Sequence, residues 1–305
     1  MSRPSSLRVV LIGFGALLLP TLSTAQTLRL ATWNLEWLVS AQTSRTARAA
    51  CLGGARPPLP CDVALDKVRS SADYSTLAGY ARELDADVLA IQEVEDQDTA
   101  ARVLPGYRFC LTDSRAPQNV GFAIRRSLSF RCEPDYLPLA LGGRLRRGAV
   151  LTLFPGTANE TRLMAVHLKS GCPRDRRKPN ASACSQWRQQ LPLLAQWVGA
   201  QGGRYAVLGD FNRELGANDS NGLLTALQQA ARGRLTDAAG NTAYVSCWPG
   251  QSSANGIDHI LLGGGLQSAV VPGSYRRLGY RSSDVRRYQL SDHCPVSVQL
   301  RFLPR

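Results

Sequence analysis

The feature that most constrains this chain is a series of short apolar runs, each handing over to a group able to bind a cation, move a proton or accept a hydrogen bond. Leu28–Trp33 leads into Asn34-Leu35-Glu36, and Val88–Gln92 leads into Glu93-Val94-Glu95. Arg162–Leu168 carries His167 and ends on Lys169, while Tyr205–Leu208 leads into Gly209-Asp210-Phe211-Asn212. Runs of this length, bounded by Gly, Asn or Asp, read as strands. One Asn or Asp at such a place is an ordinary turn former. The same handover repeated along one chain reads instead as a site built at a sheet edge, where loops collect functional side chains.

Val120–Ile124, Ala149–Phe154, Ile257–Leu262 and Val296–Phe302 complete the strand candidates. Helical periodicity places Leu65, Val68, Leu77, Tyr80, Ala81 and Leu84 on one side of a helix ending near Asp85. Trp187, Leu191, Leu194, Ala195 and Val198 repeat the pattern before Gly199, and a weaker helix spans Gly222–Ala231. Strands and helices do not alternate strictly, and no helix separates the strands on either side of Ala158-Asn159. That order favours mixed or antiparallel sheets packed face to face, with helices outside. Ser40–Asp62 and Gly171–Ser185 read as surface loops, the second carrying Arg174, Arg176, Arg177 and Lys178. Neither resembles an interdomain linker, so the segment after the leader reads as one domain.

The leader is an address. Arg3 and Arg8 flank the start of an apolar stretch from Val9 to Leu22, and Ser23-Thr24-Ala25 supplies the small residues a signal peptidase needs. Residues 1–25 are therefore expected to be a signal peptide and residues 26–305 a single domain, secreted or periplasmic. The apolar stretch is shorter than a membrane span of roughly 20 residues, and no later run is apolar enough to cross a bilayer. No stable membrane association is expected. All eight cysteines follow the leader, and none has the CxxC spacing of a zinc ribbon. An even number in an exported chain reads as disulfides, the simplest pairing being Cys51–Cys61, Cys110–Cys132, Cys172–Cys184 and Cys247–Cys294 among many connectivities.

The chain has only three histidines, His167, His259 and His293, each at the end of a strand-like run or beside it. Two of them follow an aspartate directly: Asp258-His259 and Asp292-His293. An imidazole beside a carboxylate is held in one tautomer and can shuttle protons. A lone His of this kind is also a common satisfied structural residue, which is the reading for His259. Hard oxygen donors without clustered Cys or His point to Mg²⁺, with Mn²⁺ or Ca²⁺ as alternatives, instead of zinc.

Taken in order, Thr32-Trp33-Asn34-Leu35-Glu36, Ile91-Gln92-Glu93, Val166-His167-Leu168-Lys169, Gly209-Asp210-Phe211-Asn212, Ile257-Asp258-His259 and Ser291-Asp292-His293 form one set of motifs. The set resembles the endonuclease/exonuclease/phosphatase superfamily, the group of deoxyribonuclease I, and extends from about Leu28 to Phe302. The resemblance implies a four-layer α/β sandwich, two mixed β-sheets between outer helices, as a single catalytic domain. It implies Glu93 as the principal metal ligand, with Asn34 and Asp292 nearby, directly or through water. It implies His293, oriented by Asp258, as general base or polariser of the attacking water. Asp210 and Asn212 would position the nucleophile and a phosphate oxygen, and His167 would donate to the phosphoryl group or the leaving oxygen. A His at 167 is typical of members related to deoxyribonuclease I and sphingomyelinase, where apurinic endonucleases carry Tyr. Arg125, Arg147 and Lys169 are phosphate-binding candidates. Glu36 either touches a metal or serves as a structural hydrogen-bond partner.

The chain carries a formal net charge of +13, and stays strongly basic without Arg3 and Arg8. Such an excess attracts polyanions. A secreted nuclease acting on DNA, with RNA also open, is the favoured function. A sphingomyelinase-like or other small phosphoester hydrolase keeps the chemistry and changes the substrate, but the sequence offers no obvious exposed aromatic stretch for membrane entry. An inactive DNA-binding module on the same fold is a third reading, disfavoured because every motif position is occupied. The oligomeric state is left unspecified.

Overall fold

Alternation along the strands decides the layers. The computed structural model describes residues 26–114, 117–172, 181–215, 222–231, 235–240, 242, 244–249 and 256–302; the leader and the basic segment Arg174–Lys178 lie outside the described residues. Strand β1 (Gln26–Leu38) sends Leu28 and Leu30 into one apolar cluster and Ala31 and Trp33 into another. It lies between β12 (Val296–Phe302), antiparallel, and β2 (Val88–Val94), parallel. With β11 (Arg276–Arg277), β3 (Tyr107–Leu111) and β4 (Asn119–Arg125) these form a six-stranded sheet in the order β11-β12-β1-β2-β4-β3. The second six-stranded sheet has the order β5-β6-β7-β8-β10-β9, from β5 (Phe130–Tyr136), β6 (Gly148–Leu153), β7 (Thr161–His167), β8 (Arg204–Asp210), β9 (Thr236–Asp237) and β10 (Asp258–Gly263).

Between the sheets, Leu28, Leu30, Val88 and Ala90 meet Leu163, Ala165, Ala206, Leu208 and Ile260. On the outer face of the first sheet, Tyr74, Leu77, Tyr80 and Leu84 of α3 (Ser71–Leu84) cover Trp33, Leu89 and Ile91. On the outer face of the second, Trp187, Leu194 and Trp197 of α5 (Ala181–Gly199) cover Val166, Val207 and Leu261. Each fully buried large apolar side chain contributes about 1.5–3 kcal/mol of transfer free energy. The result is the four-layer α/β sandwich expected from the motifs.

Every strand read from the sequence is present. The strands not read, β3, β5, β9 and β11, are the four that close the edges of the two sheets. An edge strand leaves part of its surface to solvent, and Arg131, Glu133 and Asp135 in β5 dilute any apolar signal. The helix expected from Leu65 to Leu84 is instead two helices, α2 (Cys61–Asp66) and α3, with a break at 67–70. Ser70 causes the break: its hydroxyl accepts the Asp73 N–H, and the Asp73 carboxylate accepts the Ser70 N–H at 2.6 Å. This capping box starts a new helix, so Leu65 and Val68 are exposed and do not line α3. Ser40–Asp62 is likewise more than a loop, because it contains α1 (Ala41–Leu52), capped by Ser40. That helix buries only Ser44 and Ala47 and so shows no apolar period.

All four cysteine pairs form between sequence neighbours, with Cα–Cα distances from 4.6 to 5.7 Å. Cys51–Cys61 ties α1 to α2, and Cys110–Cys132 joins β3 to β5 across the two sheets. Cys247–Cys294 anchors the residue after His293.

His259 has a structural part in this frame. Its Nδ1 lies 2.7 Å from Asp237 Oδ2 and its Nε2 lies 2.9 Å from the Arg213 carbonyl, so both nitrogens face acceptors. Burial opposes its charge, but the Asp237 carboxylate and the Arg213 carbonyl outweigh burial and raise its pKa above the ordinary value. A raised folded-state pKa stabilises fully below the unfolded value near 6.5, and the contribution disappears as pH rises through the folded pKa. His259→Asn is therefore expected to cost more stability at pH 5.5 than at pH 9, measured by urea unfolding at both pH values. An equal loss at both would contradict a charged His259.

Candidate active site

Strand register brings the polar ends together. β7 and β8 run parallel with His167 opposite Asp210, and β10 runs antiparallel to β8 with Asp258 opposite the same Asp210. In the other sheet, Asn34 lies opposite Gln92 at the ends of β1 and β2, and residues 291–293 lead into β12 at that edge. Gly209 allows the middle strand to pass. Its φ is 143°, and a Cβ there would stand 2.0 Å from the Val166 carbonyl oxygen. No other residue fits both conditions.

The strand ends are locally strained. β1 and β2 shift register between Asn34 and Leu38, and Glu36 (φ 44°) and Trp37 (φ 49°) take left-handed conformations inside the bulge. Glu93 (φ 60°) and Asn212 (φ 52°) do the same. Non-glycine residues in this region carry roughly 1–3 kcal/mol of strain each when unsupported, and such strain concentrates at functional sites. Here it aims side chains: the Trp37 N–H donates to Glu93 Oε2 at 3.1 Å, and the Asn212 N–H donates to Asp210 Oδ1 at 2.7 Å.

A run of close approaches then links the predicted residues. His167 Nε2 lies 3.7 Å from Glu93 Oε1 and 3.5 Å from Asp210 Oδ2. His293 Nε2 lies 3.8 Å from Asp210 Oδ2 and 3.9 Å from Asp292 Oδ1, while its Nδ1 meets Asp258 Oδ2 at 2.8 Å. Asn34 bridges the carboxylates, its Nδ2 donating to Glu93 Oε1 at 3.2 Å and to Asp210 Oδ2 at 3.1 Å. The Asn34 amide oxygen is turned away and accepts the Glu36 N–H at 2.9 Å. Asn34 thus organises the two acids through its Nδ2 hydrogens while its oxygen supports the β1 bulge. Asn212 donates from Nδ2 to the Leu168 carbonyl at 3.1 Å, and Lys169 extends just beyond His167 with Nζ on the Ser170 carbonyl at 2.8 Å.

Burial sets the charge states. It raises Asp210 to about 7, helped by Asp258 and opposed by His293, the Asn212 N–H and the Asn34 amide. Burial, with the charges of Arg146, His293 and Lys169, pushes His167 well below its ordinary value, leaving a neutral imidazole. Burial also opposes charge on His293, but Asp258 and Asp210 outweigh it and raise His293 well above its ordinary value. The site therefore combines an imidazolium, a neutral imidazole and a carboxyl group poised near neutrality.

Donor atoms of Asp210, Asp258 and His293 lie within 4.8 Å of one another. Because His293 Nδ1 is committed to Asp258, that trio reads as a proton relay. Glu93, 13% exposed, and Asp292, 60% exposed, are carboxylates reachable at the rim, the hard oxygen donors that a divalent cation would take. Glu36 lies deeper, with its side chain 5% exposed. Its carboxylate is buried against Lys67 and accepts the Asp292 N–H at 3.0 Å.

Of the two arginine candidates, Arg125 is placed away from the site and Arg147 beside it. Arg125 lies at the opposite edge of the first sheet: it follows Ile124, which pairs with Val88, the first residue of β2. Five strand residues separate that end from Glu93, about 17 Å. Arg125 pairs there with Asp85 and Asp87. Arg147 is near the correct edge but turns to Asp135 at 3.4 Å. Arg146 is the one that reaches the site, donating from Nε to the His167 carbonyl at 3.1 Å and from Nη2 to the Leu168 carbonyl at 3.0 Å. The Arg144–Arg147 run holds three arginines without a period, so sequence reasoning had no signal to choose among them.

This geometry has relatives. The sequence profile described as Endonuclease/Exonuclease/phosphatase family matches residues 31–293. No curated protein sequence matches the chain. Among solved structures, an endonuclease/exonuclease/phosphatase family protein from Bacteroides thetaiotaomicron is 17% identical with a TM-score of 0.55, covering 92% of this chain and 99% of that one. The 3′ phosphatase NExo from Neisseria, bound to a product DNA hairpin, is 17% identical with a TM-score of 0.51, covering 90% and 99%. TDP2 from D. rerio, complexed with a single-strand DNA product, is 17% identical with a TM-score of 0.56, covering 90% and 98%. At these identities the structures speak for the shared fold, while the profile spans most of the sequence. The chain belongs to the Endonuclease/Exonuclease/phosphatase family.

Proposed function

We propose that this protein is an exported, divalent-metal-dependent phosphodiesterase that hydrolyses nucleic acid, DNA before RNA. The leader at 1–25 would direct export and residues 26–305 would form the single catalytic domain. The four disulfides support an oxidising destination. Among the described residues, no helix is long and apolar enough to cross a membrane. The observation that carries the reading is the unbroken sequence of close approaches from Glu93 through His167, Asp210 and His293 to Asp292, with Asp258 behind His293.

In the proposed reaction Asp210, and not His293 as the resemblance implied, accepts the proton of the attacking water: a charged imidazolium has no free lone pair, and the near-neutral Asp210 carboxyl suits the task. The Asn212 N–H fixes Asp210 Oδ1 and leaves Oδ2 facing both imidazoles. His293, charged and backed by Asp258, donates to a phosphoryl oxygen as negative charge builds there. His167 donates from Nε2 to the phosphoryl group or the leaving oxygen. A divalent cation held by Glu93 and Asp292, Mg²⁺ before Mn²⁺ or Ca²⁺, would supply charge neutralisation on the phosphoryl oxygens. Arg146 holds the strand end that carries His167, and Lys169 adds positive charge beside the phosphate. The net charge of +13 favours a polyanionic substrate, and two of the structural neighbours hold DNA products. Exposed Leu52, Leu65 and Val68 near α1 and α2 are the observation that keeps a lipid phosphodiester as the second reading.

Supercoiled plasmid is expected to be nicked with Mg²⁺ or Mn²⁺ and left intact with EDTA. Glu93→Ala and His293→Ala should each lower the rate at least about 100-fold, ~2.7 kcal/mol of barrier. Hydrolysis of sphingomyelin vesicles with no plasmid nicking would reverse the order of the two readings. Separately, Arg146→Met is expected to destabilise the fold by about 1–3 kcal/mol, by leaving two carbonyls unpaired. Arg147→Met should stay within about 0.5 kcal/mol of the parent protein, as surface substitutions do. Thermal melts of the two variants compare them directly.

A further inference from the structure

We propose that Arg69, acting through Glu36, is a positioning residue that holds the Glu93 and Asp292 sides of the site in one geometry. The inference rests on the reading of those two carboxylates as the metal ligands. Arg69 stands in the break between α2 and α3, and its side chain is 3% exposed. From Nη1 it donates to the Glu36 carbonyl at 2.6 Å and the Trp37 carbonyl at 3.3 Å. From Nε and Nη2 it donates to the Gln289 carbonyl at 3.0 Å and the Leu290 carbonyl at 3.1 Å. One guanidinium thus joins the β1 bulge to the loop that delivers Asp292 and His293. A planar fork of five N–H donors can span four carbonyls; a lysine ammonium cannot.

Both carboxylates take their position from the structure that Arg69 fixes. Glu93 Oε2 accepts the Trp37 N–H at 3.1 Å, and Glu36 Oε2 accepts the Asp292 N–H at 3.0 Å. Glu36 and Trp37 are the two consecutive left-handed residues of the bulge, so their carbonyls point away from ordinary ladder partners and need Arg69. Lys67, 38% exposed, completes the arrangement by pairing with Glu36 Oε1, and Arg69 Nη2 stands 3.7 Å from Glu36 Oε2. Two cations on one buried carboxylate also keep Glu36 from competing for the metal.

This arrangement and its opposite, in which Glu36 is itself a ligand, predict different signs. If Glu36 ligates, removing Lys67 or Arg69 frees it and metal binding tightens. If Arg69 positions Glu93 and Asp292, removing it weakens binding. The test is Mn²⁺ titration of the full protein without substrate, with free Mn²⁺ read by electron paramagnetic resonance. Arg69→Ala should weaken Mn²⁺ binding about tenfold or more, the usual effect of losing a partner behind the ligands. Arg69→Lys should remain weakened, and Lys67→Ala should show a smaller loss of the same sign. Unchanged or tighter binding in Arg69→Ala overturns the proposal, as does full rescue by Arg69→Lys. If Arg69→Ala does not fold, Lys67→Ala decides by its sign, with binding as tight as the parent's or tighter counting against the proposal. A parent protein that binds no Mn²⁺, or a Glu93→Gln variant that binds it normally, removes the metal-ligand reading itself and the proposal with it.

Discussion

The burial of the Asp210 carboxylate is the constraint around which the site is arranged. A carboxylate withdrawn from water is destabilised by several kcal/mol unless its oxygens find donors. Asp210 accepts from the Asn212 N–H and the Asn34 amide, and the two imidazoles stand within 3.8 Å of it. Each partner comes from a different strand end or loop, so meeting the needs of one carboxylate fixes the positions of four other groups. The register of β7, β8 and β10 is what brings them within reach. Gly209 in turn makes that register possible, because the Val166 carbonyl occupies the space a side chain would need.

A second constraint is conformational. Of the seven non-glycine residues with positive φ among the described residues, Glu36, Trp37, Glu93 and Asn212 lie at the site. Their strain does useful positioning only because hydrogen bonds hold each one. Asn34 accepts from Glu36, Glu93 accepts from Trp37, and Asp210 accepts from Asn212. Bonds that reach back to strained neighbours make the constellation rigid before any substrate arrives, which is what electrostatic preorganisation requires.

Much of this was legible in the residue order. Strands buried on both faces announce themselves as apolar runs, and the polar groups at their ends pointed to His167, Asp210, Asp258, Glu93 and His293, which the strand register gathers at one edge. Four edge strands were silent because solvent-facing residues carry no apolar period. Helix α1 was silent for the same reason, and Ser70 outweighed a helical pattern that ran through it. Side-chain direction was the other loss. Sequence says that Asn34 is present but not which way its amide turns, nor that Arg146 reaches inward while Arg147 reaches Asp135. Lys67 and Arg69 left no signal, since their partner Glu36 is about thirty residues away and the loop between them reads as ordinary surface.

The disulfides bear on the unfolded chain as well as the folded one. Their sequence separations are 10, 22, 12 and 47 residues. Loop-closure entropy grows only with the logarithm of loop length, so the shortest and longest of these differ by about 1.4 kcal/mol in what they remove from the denatured ensemble. The four crosslinks thus differ only modestly as restraints on disorder, and much more in what they touch. One closes the α1–α2 lobe, one fastens the rims of the two sheets, one ties Cys172 to α5, and one holds the residue beside His293. The oxidised but denatured chain would therefore be a string of small closed rings, with the long segments between them still free to search.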